Sequence, residues 1–243
     1  LGLVGSEMCI RDRFISGSAP LLSETHIEFE KRTGKKILER YGMTETNMNI
    51  SNPYDGLRKA GTVGIPLPGI EIRIVNEEGK EVDEGQIGTI ELKGENIFKG
   101  YWGMEEKTKE SFKDDGFFIT GDLAKKDENG YFTIVGRDKD MIISGGLNVY
   151  PKEIEDVINE LPNITESAVF GVQHDDFGEA VVAAVVTTDD KNDGSQILDY
   201  TKDKIAKYKQ PKKIIFMSNL PRNSMGKVQK NKLRENNKSL FKS

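Results

Sequence analysis

One change of pattern constrains the fold of this chain more than any other feature. From Ile70 to Arg137 the sequence reads as strands. Ile70, Ile72 and Ile74 alternate with Glu71 and Arg73, "QIGTIELKG" and "GFFITGDL" follow, and "DENGYFTIVGR" places an Asn-Gly turn between two strand-like runs. This predicts a small sheet or barrel. Then "GRDKDMIISGGLNVYP" compresses charge, a short apolar strand, two glycines and a proline into the segment from Gly136 to Pro151. Beyond it the period changes. Pro151 opens a predicted helix, "PKEIEDVINELP", with Ile154, Val157, Ile158 and Leu161 on one face. Strands "SAVFGV" and "AVVAAVV", a helix around "ILDYTKDKIAKY" and a strand "KKIIFM" complete an α+β unit of about 100 residues, a common domain size. The expected class is α/β (α+β), with a β-rich part over 14–138 and a compact α+β domain over 139–243.

Upstream, "FISGSAP" reads as a short strand entering a loop. "LLSETHIEFEKRTG" has Leu22, His26 and Phe29 at helical spacing, with Gly34 as a stop. "KILERY" is a strand, the polar "GMTETNMN" a loop, and "NPYDGLRKAG" turn chemistry. Residues 1–13, "LGLVGSEMCIRDR", show no periodicity and resemble translated adaptor read-through, so they are expected to be a non-native leader.

Composition excludes several classes. A net charge of −5 gives no general pull toward nucleic acid. A lone Cys9 supports neither a disulfide framework nor a thiolate metal site, and His26 and His174 lack metal-ligand spacing. The longest apolar run is far short of the ~20 residues that span a bilayer. "LGLVG" is too short for a signal-peptide core. A cytoplasmic chain with no membrane span is expected.

Four patches hold more chemistry than their secondary structure needs. "SGSAP" (Ser16 to Pro20) would let a ligand approach the backbone, or is a plain turn. "ERYGMTET" (Glu39 to Thr46) offers Thr44 to a phosphate oxygen and Glu45 to Mg²⁺, or is a helix cap or solvated loop. In "TGDL", an Asp122 at a strand end could accept ribose hydroxyls, with Arg137 adding a donor; a turn Asp and a surface Arg are the alternative. "LPRNSMGKVQK" carries Lys227 on a Pro/Asn/Gly loop that can reach into a cleft, or leaves it a solvated lysine. No GxxxxGK[ST] phosphate loop is present.

In their order, "YGMTET", "TGDL", "GRDKDMIISGG" and "PRNSMGKVQK" resemble the motifs of the acyl-adenylate-forming superfamily, which includes acyl-CoA synthetases. The likeness covers essentially all of residues 14–243. "SGSAPLLSETH", "ERYGMTETNMNISNPYDG", "RKAGTVGIPLPG", "FKGYW" and "LPRNSMGKVQKNKLR" are similar to malonyl-CoA synthetases in particular. The resemblance implies the C-terminal β-rich part of the family's large domain and its small α+β lid domain. It implies that Gly17, Ser18, Ala19, Glu39, Arg40, Tyr41, Gly42 and Met43 border the nucleotide and acyl pocket. It further implies that Thr44 contacts the α-phosphate, Glu45 binds Mg²⁺, and Asp122 and Arg137 hold the ribose. Lys139 matches the hinge, Ser144, Gly145 and Gly146 the coenzyme A channel, and Lys227 the adenylation lysine. The substrates implied are ATP, coenzyme A and a small carboxylic acid, malonate foremost. Arg58, just past the "NPYDG" turn, is the candidate partner for malonate's second carboxylate, since an arginine fork suits it. The family's Ser/Thr/Gly-rich phosphate loop is absent, so the chain is expected not to complete the reaction alone. Rival readings are another short-chain or dicarboxylate acyl-CoA synthetase, and an inactive nucleotide- or partner-binding fragment.

Overall fold

The structure is a computed structural model and describes residues 13–17, 21–189, 193–224 and 226–241. Ser18, Ala19 and all of the expected leader except Arg13 lie outside the described residues. The chain divides into two compact units, 1–135 and 136–243. It is a mixed, sheet-rich α/β chain with few helices.

In the first unit, β1 (Ile15–Ser16) pairs parallel with β2 (Leu38–Met43), joined by α1 (Ser23–Thr33). Gly34 ends α1 in a left-handed conformation, φ 67°, and its N–H bonds the Glu30 carbonyl at 2.8 Å. A Cβ-free residue adopts that conformation without steric cost, so the sequence stop signal is realised here. β2 then turns back into β3 (Asn47–Ser51), which pairs with β4 (Ile65–Pro66). The polar loop expected over "GMTETNMN" is therefore a tight hairpin with only Thr44–Thr46 at its tip. The strand escapes an apolar-alternation reading because the polar Asn49 is buried next to Ile50 and bonds polar neighbours. Asn49 donates to Thr46 Oγ1 at 2.6 Å, and Asn96 donates to Asn49 Oδ1 at 3.0 Å.

A second sheet follows in the order β5 (Glu71–Val75), β6 (Gly88–Lys93), β7 (Phe118–Lys126), β8 (Phe132–Arg137), with a short α2 (Glu105–Glu110) before β7. It is an open antiparallel meander rather than a barrel. Ile74, Ile90, Leu92, Ala124 and Phe132 pack with Ile50 of β3, so this core lays the β2–β3 hairpin against the meander. Neighbouring strands of this sheet are consecutive in sequence, the commoner arrangement.

In the second unit, β9 (Ile142–Ser144) and β10 (Leu147–Val149) form a hairpin, followed by α3 (Pro151–Asn159) with Pro151 in its first turn. β11 (Ile164–His174) and β12 (Gly178–Thr187) form a long antiparallel pair. After α4 (Ser195–Lys202), β13 (Lys213–Phe216) pairs parallel with β12, and α5 (Lys230–Asn236) follows. Val169, Val181, Ala183 and Val185 pack with Ile154 and Ile158 of α3 and Ile197 of α4. Ala168, Phe170, Val172, Val182 and Ala184 pack on Leu220, from the segment before α5, and on Leu233 of α5. Both faces of β11–β12 are covered, which is why "AVVAAVV" is continuous rather than alternating. Each fully buried Ile of α3 contributes about 1.5–3 kcal/mol.

The helix expected around "ILDYTKDKIAKY" stops at Lys202. Ile205 turns into the core, and Pro211 holds Gln210 extended at ψ 135°. Gln210 donates its side-chain amide to the Lys202 and Ile205 carbonyls at 3.4 and 3.3 Å, satisfying acceptors the helix end leaves open.

Candidate active site

The first unit gathers several of the predicted side chains around the β2–β3 hairpin. Gly42 is required by space: a Cβ there would lie 2.0 Å from the Asn47 carbonyl oxygen. Asn47 closes the turn at φ 54°, a conformation asparagine tolerates better than most residues. Thr44 is thereby left exposed at the tip and Glu45 half-buried beside it. Tyr101, following "FKG", donates its hydroxyl to Glu45 Oε1 at 3.2 Å. Burial first, then the Glu45 charge and that hydrogen bond, push the Tyr101 phenol above its ordinary range. It therefore stays a donor at neutral pH and orients the carboxylate.

Asp122 was expected at a strand end. It lies instead within the nine residues of β7, at a bulge. Gly121 has φ 68°, and the pairing with β6 shifts between Thr89 and Glu91. A left-handed glycine inside a strand adds a residue and re-aims its neighbour. Thr120 Oγ1 donates to the Ile90 carbonyl at 2.9 Å and accepts the Asp122 N–H at 3.0 Å, fixing the bulge. Asp122 is 5% exposed, and Tyr41 Oη donates to its Oδ2 at 2.5 Å. The clasp joins β2 to β7 and places two predicted residues, 81 positions apart, in contact.

On the same strand, Glu39 is buried and lies 3.1 Å from the buried His26 Nδ1 of α1. Glu39 is also paired in register with Ser16. Gly17 lies under the Arg40 side chain: a Cβ on Gly17 would be 3.3 Å from Arg40 Cγ. Met43 ends β2 opposite Asn47. Arg58 sits apart from these contacts. Its guanidinium donates to the carbonyls of Lys36 at 2.8 Å, Tyr54 at 2.9 Å and Pro53 at 3.3 Å, tying the loop to the entry of β2.

The second unit presents two tips. Gly145 and Gly146, at φ 59° and 77°, form the two-residue turn of the β9–β10 hairpin, just after Ser144. Two consecutive positive φ values are what the favoured hairpin turn demands, and glycine supplies them. The other tip is the Lys227 loop. The Asn223 N–H donates to the Lys227 carbonyl, Gly226 to the Asn223 carbonyl, and Lys227 to Asn223 Oδ1, each at 2.9 Å. Arg222 donates to the Gly226 carbonyl at 2.7 Å and also pairs with Glu166. The loop is thus cross-tied, and Lys227 is exposed. Among the described residues its ammonium has no carboxylate partner. Arg137 is the last residue of β8 and the second of this unit. Lys139 lies exposed in a 3₁₀ turn, Asp138–Asp140, whose Asp140 accepts from Arg234 of α5 at 2.7 Å.

Residues 9–102 match the AMP-binding enzyme family, and residues 153–227 match the AMP-binding enzyme C-terminal domain. The chain belongs to the AMP-binding enzymes. A malonate–CoA ligase of Arabidopsis thaliana is 41% identical over 233 residues, which are 91% of this chain and 38% of that ligase. A long-chain-fatty-acid–CoA ligase of Yersinia pestis is 36% identical over 222 residues, 91% of this chain and 39% of that protein. The crystal structure of ATP-bound MatB from Rhodopseudomonas palustris superposes with a TM-score of 0.92 at 59% identity, covering 95% of this chain and 46% of that one. The chain therefore spans less than half the length of these relatives, and its fold is that of the adenylate-forming enzymes. No helix among the described residues is long and apolar enough to cross a membrane.

Tyr101, Thr120, Asn49, Asn96 and Arg222 were not picked out as functional residues from the sequence. Tyr101 and Thr120 bond the predicted Glu45 and Asp122, while Asn49, Asn96 and Arg222 tie residues next to Glu45 and Lys227. The only local signal was the glycine inside the "TGDL" strand, which marks a bulge.

Proposed function

We propose that the chain carries part of the active site of an ATP-dependent carboxylate–CoA ligase that acts on malonate. The supporting observation is the convergence on one hairpin: Thr44 and Glu45 at its tip, and Tyr41 clasping Asp122 at its base. In the first step a malonate carboxylate oxygen attacks the α-phosphorus of ATP, forming malonyl-adenylate and releasing diphosphate. In the second the coenzyme A thiolate attacks the acyl carbon, forming malonyl-CoA and releasing AMP.

Thr44 donates to the α-phosphate. Asp122 accepts from the ribose hydroxyls, with its second carboxylate oxygen steadied by Tyr41, and Arg137 adds a donor there. Gly17, Ser18, Ala19 and the backbone from Glu39 to Met43 border adenine and acyl group. Lys227 offsets the negative charge that accumulates as two anions join, the term that usually dominates such catalysis. Lys139 is the pivot of the second unit between steps, and Ser144, Gly145 and Gly146 border the pantetheine arm. Glu45 fits Mg²⁺, because that ion is commonly held by one or two carboxylates plus substrate phosphates, and Tyr101 occupies only one of its oxygens. When bound, Mg²⁺ would neutralise phosphate charge.

The malonate assignment draws on the 59% identity to MatB and the malonate–CoA ligase relative. Arg58 is the proposed partner of the second carboxylate: three of its five N–H groups are engaged with carbonyls, leaving two. The test is a chimeric ligase in which this chain replaces the matching region of R. palustris MatB. Arg58→Ala should cut malonate-dependent diphosphate release far more than acetate-dependent release. Equal losses would make Arg58 a loop staple only. By itself the 243-residue chain is expected not to turn over malonate, and steady formation of AMP and malonyl-CoA by it would refute that.

A further inference from the structure

The β9–β10 hairpin, which carries Gly145 and Gly146, is attached to its sheet by few bonds. Its only register partner on β12 is a single pair, Ser144 opposite Gly178. Gly145 N–H donates to the Phe177 carbonyl at 2.9 Å. Ile142 and Val149 bury the base of the hairpin, but Ile143 and Leu147, nearer the tip, are 52% and 48% exposed. Ser144 is buried beside the turn, but apolar packing does little to fix the tip, and hydrogen bonds must.

At Ile143 the backbone ladder has run out, and a side chain takes over. The Ile143 N–H donates to Glu179 Oε2 at 2.9 Å. Room for this carboxylate comes from the neighbouring strand. A Cβ on Gly171 of β11 would lie 2.6 Å from Glu179 Oε1 and 2.9 Å from its Cδ. Gly171 is thus a notch: one carboxylate oxygen rests in it and the other reaches the hairpin backbone. An ionised acceptor makes roughly twice as strong a bond as a neutral one, which matters where water competes.

We propose that Glu179 is a positioning residue for the Gly145–Gly146 turn, a strut that serves the thioester-forming step and not adenylate formation. The inference rests on the reading of that turn as a border of the coenzyme A channel. Glu179→Ala removes the acceptor. Glu179→Gln keeps an oxygen at the same reach.

Two measurements test it. In the 243-residue chain, amide hydrogen exchange at Ile143 and Gly145 should speed up about tenfold in Glu179→Ala, with β11 and α3 unchanged and Glu179→Gln close to wild type. In the chimera with MatB, Glu179→Ala should slow thioester formation from supplied malonyl-adenylate about tenfold. Diphosphate release should be unchanged, and Glu179→Gln should restore most of the loss. Unchanged exchange at Ile143 would overturn the strut. Faster exchange with a normal thioester step, in a chimera that Gly146→Val cripples, would overturn the positioning role alone. A thioester step indifferent to Gly146→Val as well would overturn the channel reading beneath it.

Discussion

The two units of this chain close their cores differently. In the second, helices cover one face of the β11–β12 pair, and Leu220 and Leu233 cover the other. In the first, one cluster joins hairpin to meander, while Ile15, Ile27, Tyr54, Leu57 and Ile65 remain substantially exposed and Trp102 is 100% exposed. A sheet sealed on both faces holds its shape through its own packing. A unit with this much apolar surface in the open depends more on single polar clasps such as Tyr41–Asp122 and Tyr101–Glu45. The catalytic lysine is thus proposed to ride on the self-contained unit and the nucleotide contacts on the less self-contained one.

The sharpest break of this comparison comes from separating the units. Residues 136–243 alone should unfold cooperatively in urea, with the far-ultraviolet dichroism of a mixed α/β domain, whereas 13–135 alone should show no cooperative transition. A steep transition in the shorter piece would erase the contrast. Next in size, Phe170→Ala within 136–243 should cost about 3–5 kcal/mol, the usual loss for a buried aromatic, while Trp102→Ala should leave the stability of the full chain unchanged.

Much of this architecture was legible in the sequence. Pro151, the stripe from Ile154 to Leu161 and the Gly34 stop each act locally, so each can be read from its neighbours. The Lys227 loop was legible for the same reason, since Pro, Asn and Gly leave no helix there. The β2–β3 hairpin was not, because beside Ile50 it buries the polar Thr46 and Asn49, whose burial is tolerated through partners such as Asn96, 47 positions from Asn49. Helix α5 was missed because Leu233 alone of its residues is buried, leaving no stripe to see. Glu179 depends on a notch at Gly171, and nothing local announces it.

Smaller effects probe the clasps. Tyr101 should ionise above the ordinary tyrosine range: the alkaline rise in phenolate absorbance should lose a high-pH component in Tyr101→Phe. Because its folded pKa is raised, the stability it contributes is complete below the ordinary tyrosine range and is lost as pH rises through the folded value. In the second unit the sign is opposite. Hydrogen bonds from Lys204 and Tyr200 hold the Glu160 carboxyl below its ordinary range. Its contribution is present above the unfolded carboxylate pKa and fades as pH falls through the lower folded value. Glu160→Gln in 136–243 should flatten the acid limb of stability slightly, as befits a partly exposed pair.

The most direct test of the central claim is Lys227→Ala in the chimera with R. palustris MatB. Malonate-dependent diphosphate release should fall by at least about a hundredfold, the scale of losing one preorganised charge contact to the transition state. Thioester formation from supplied malonyl-adenylate should persist. Diphosphate release at the unsubstituted rate would contradict the account.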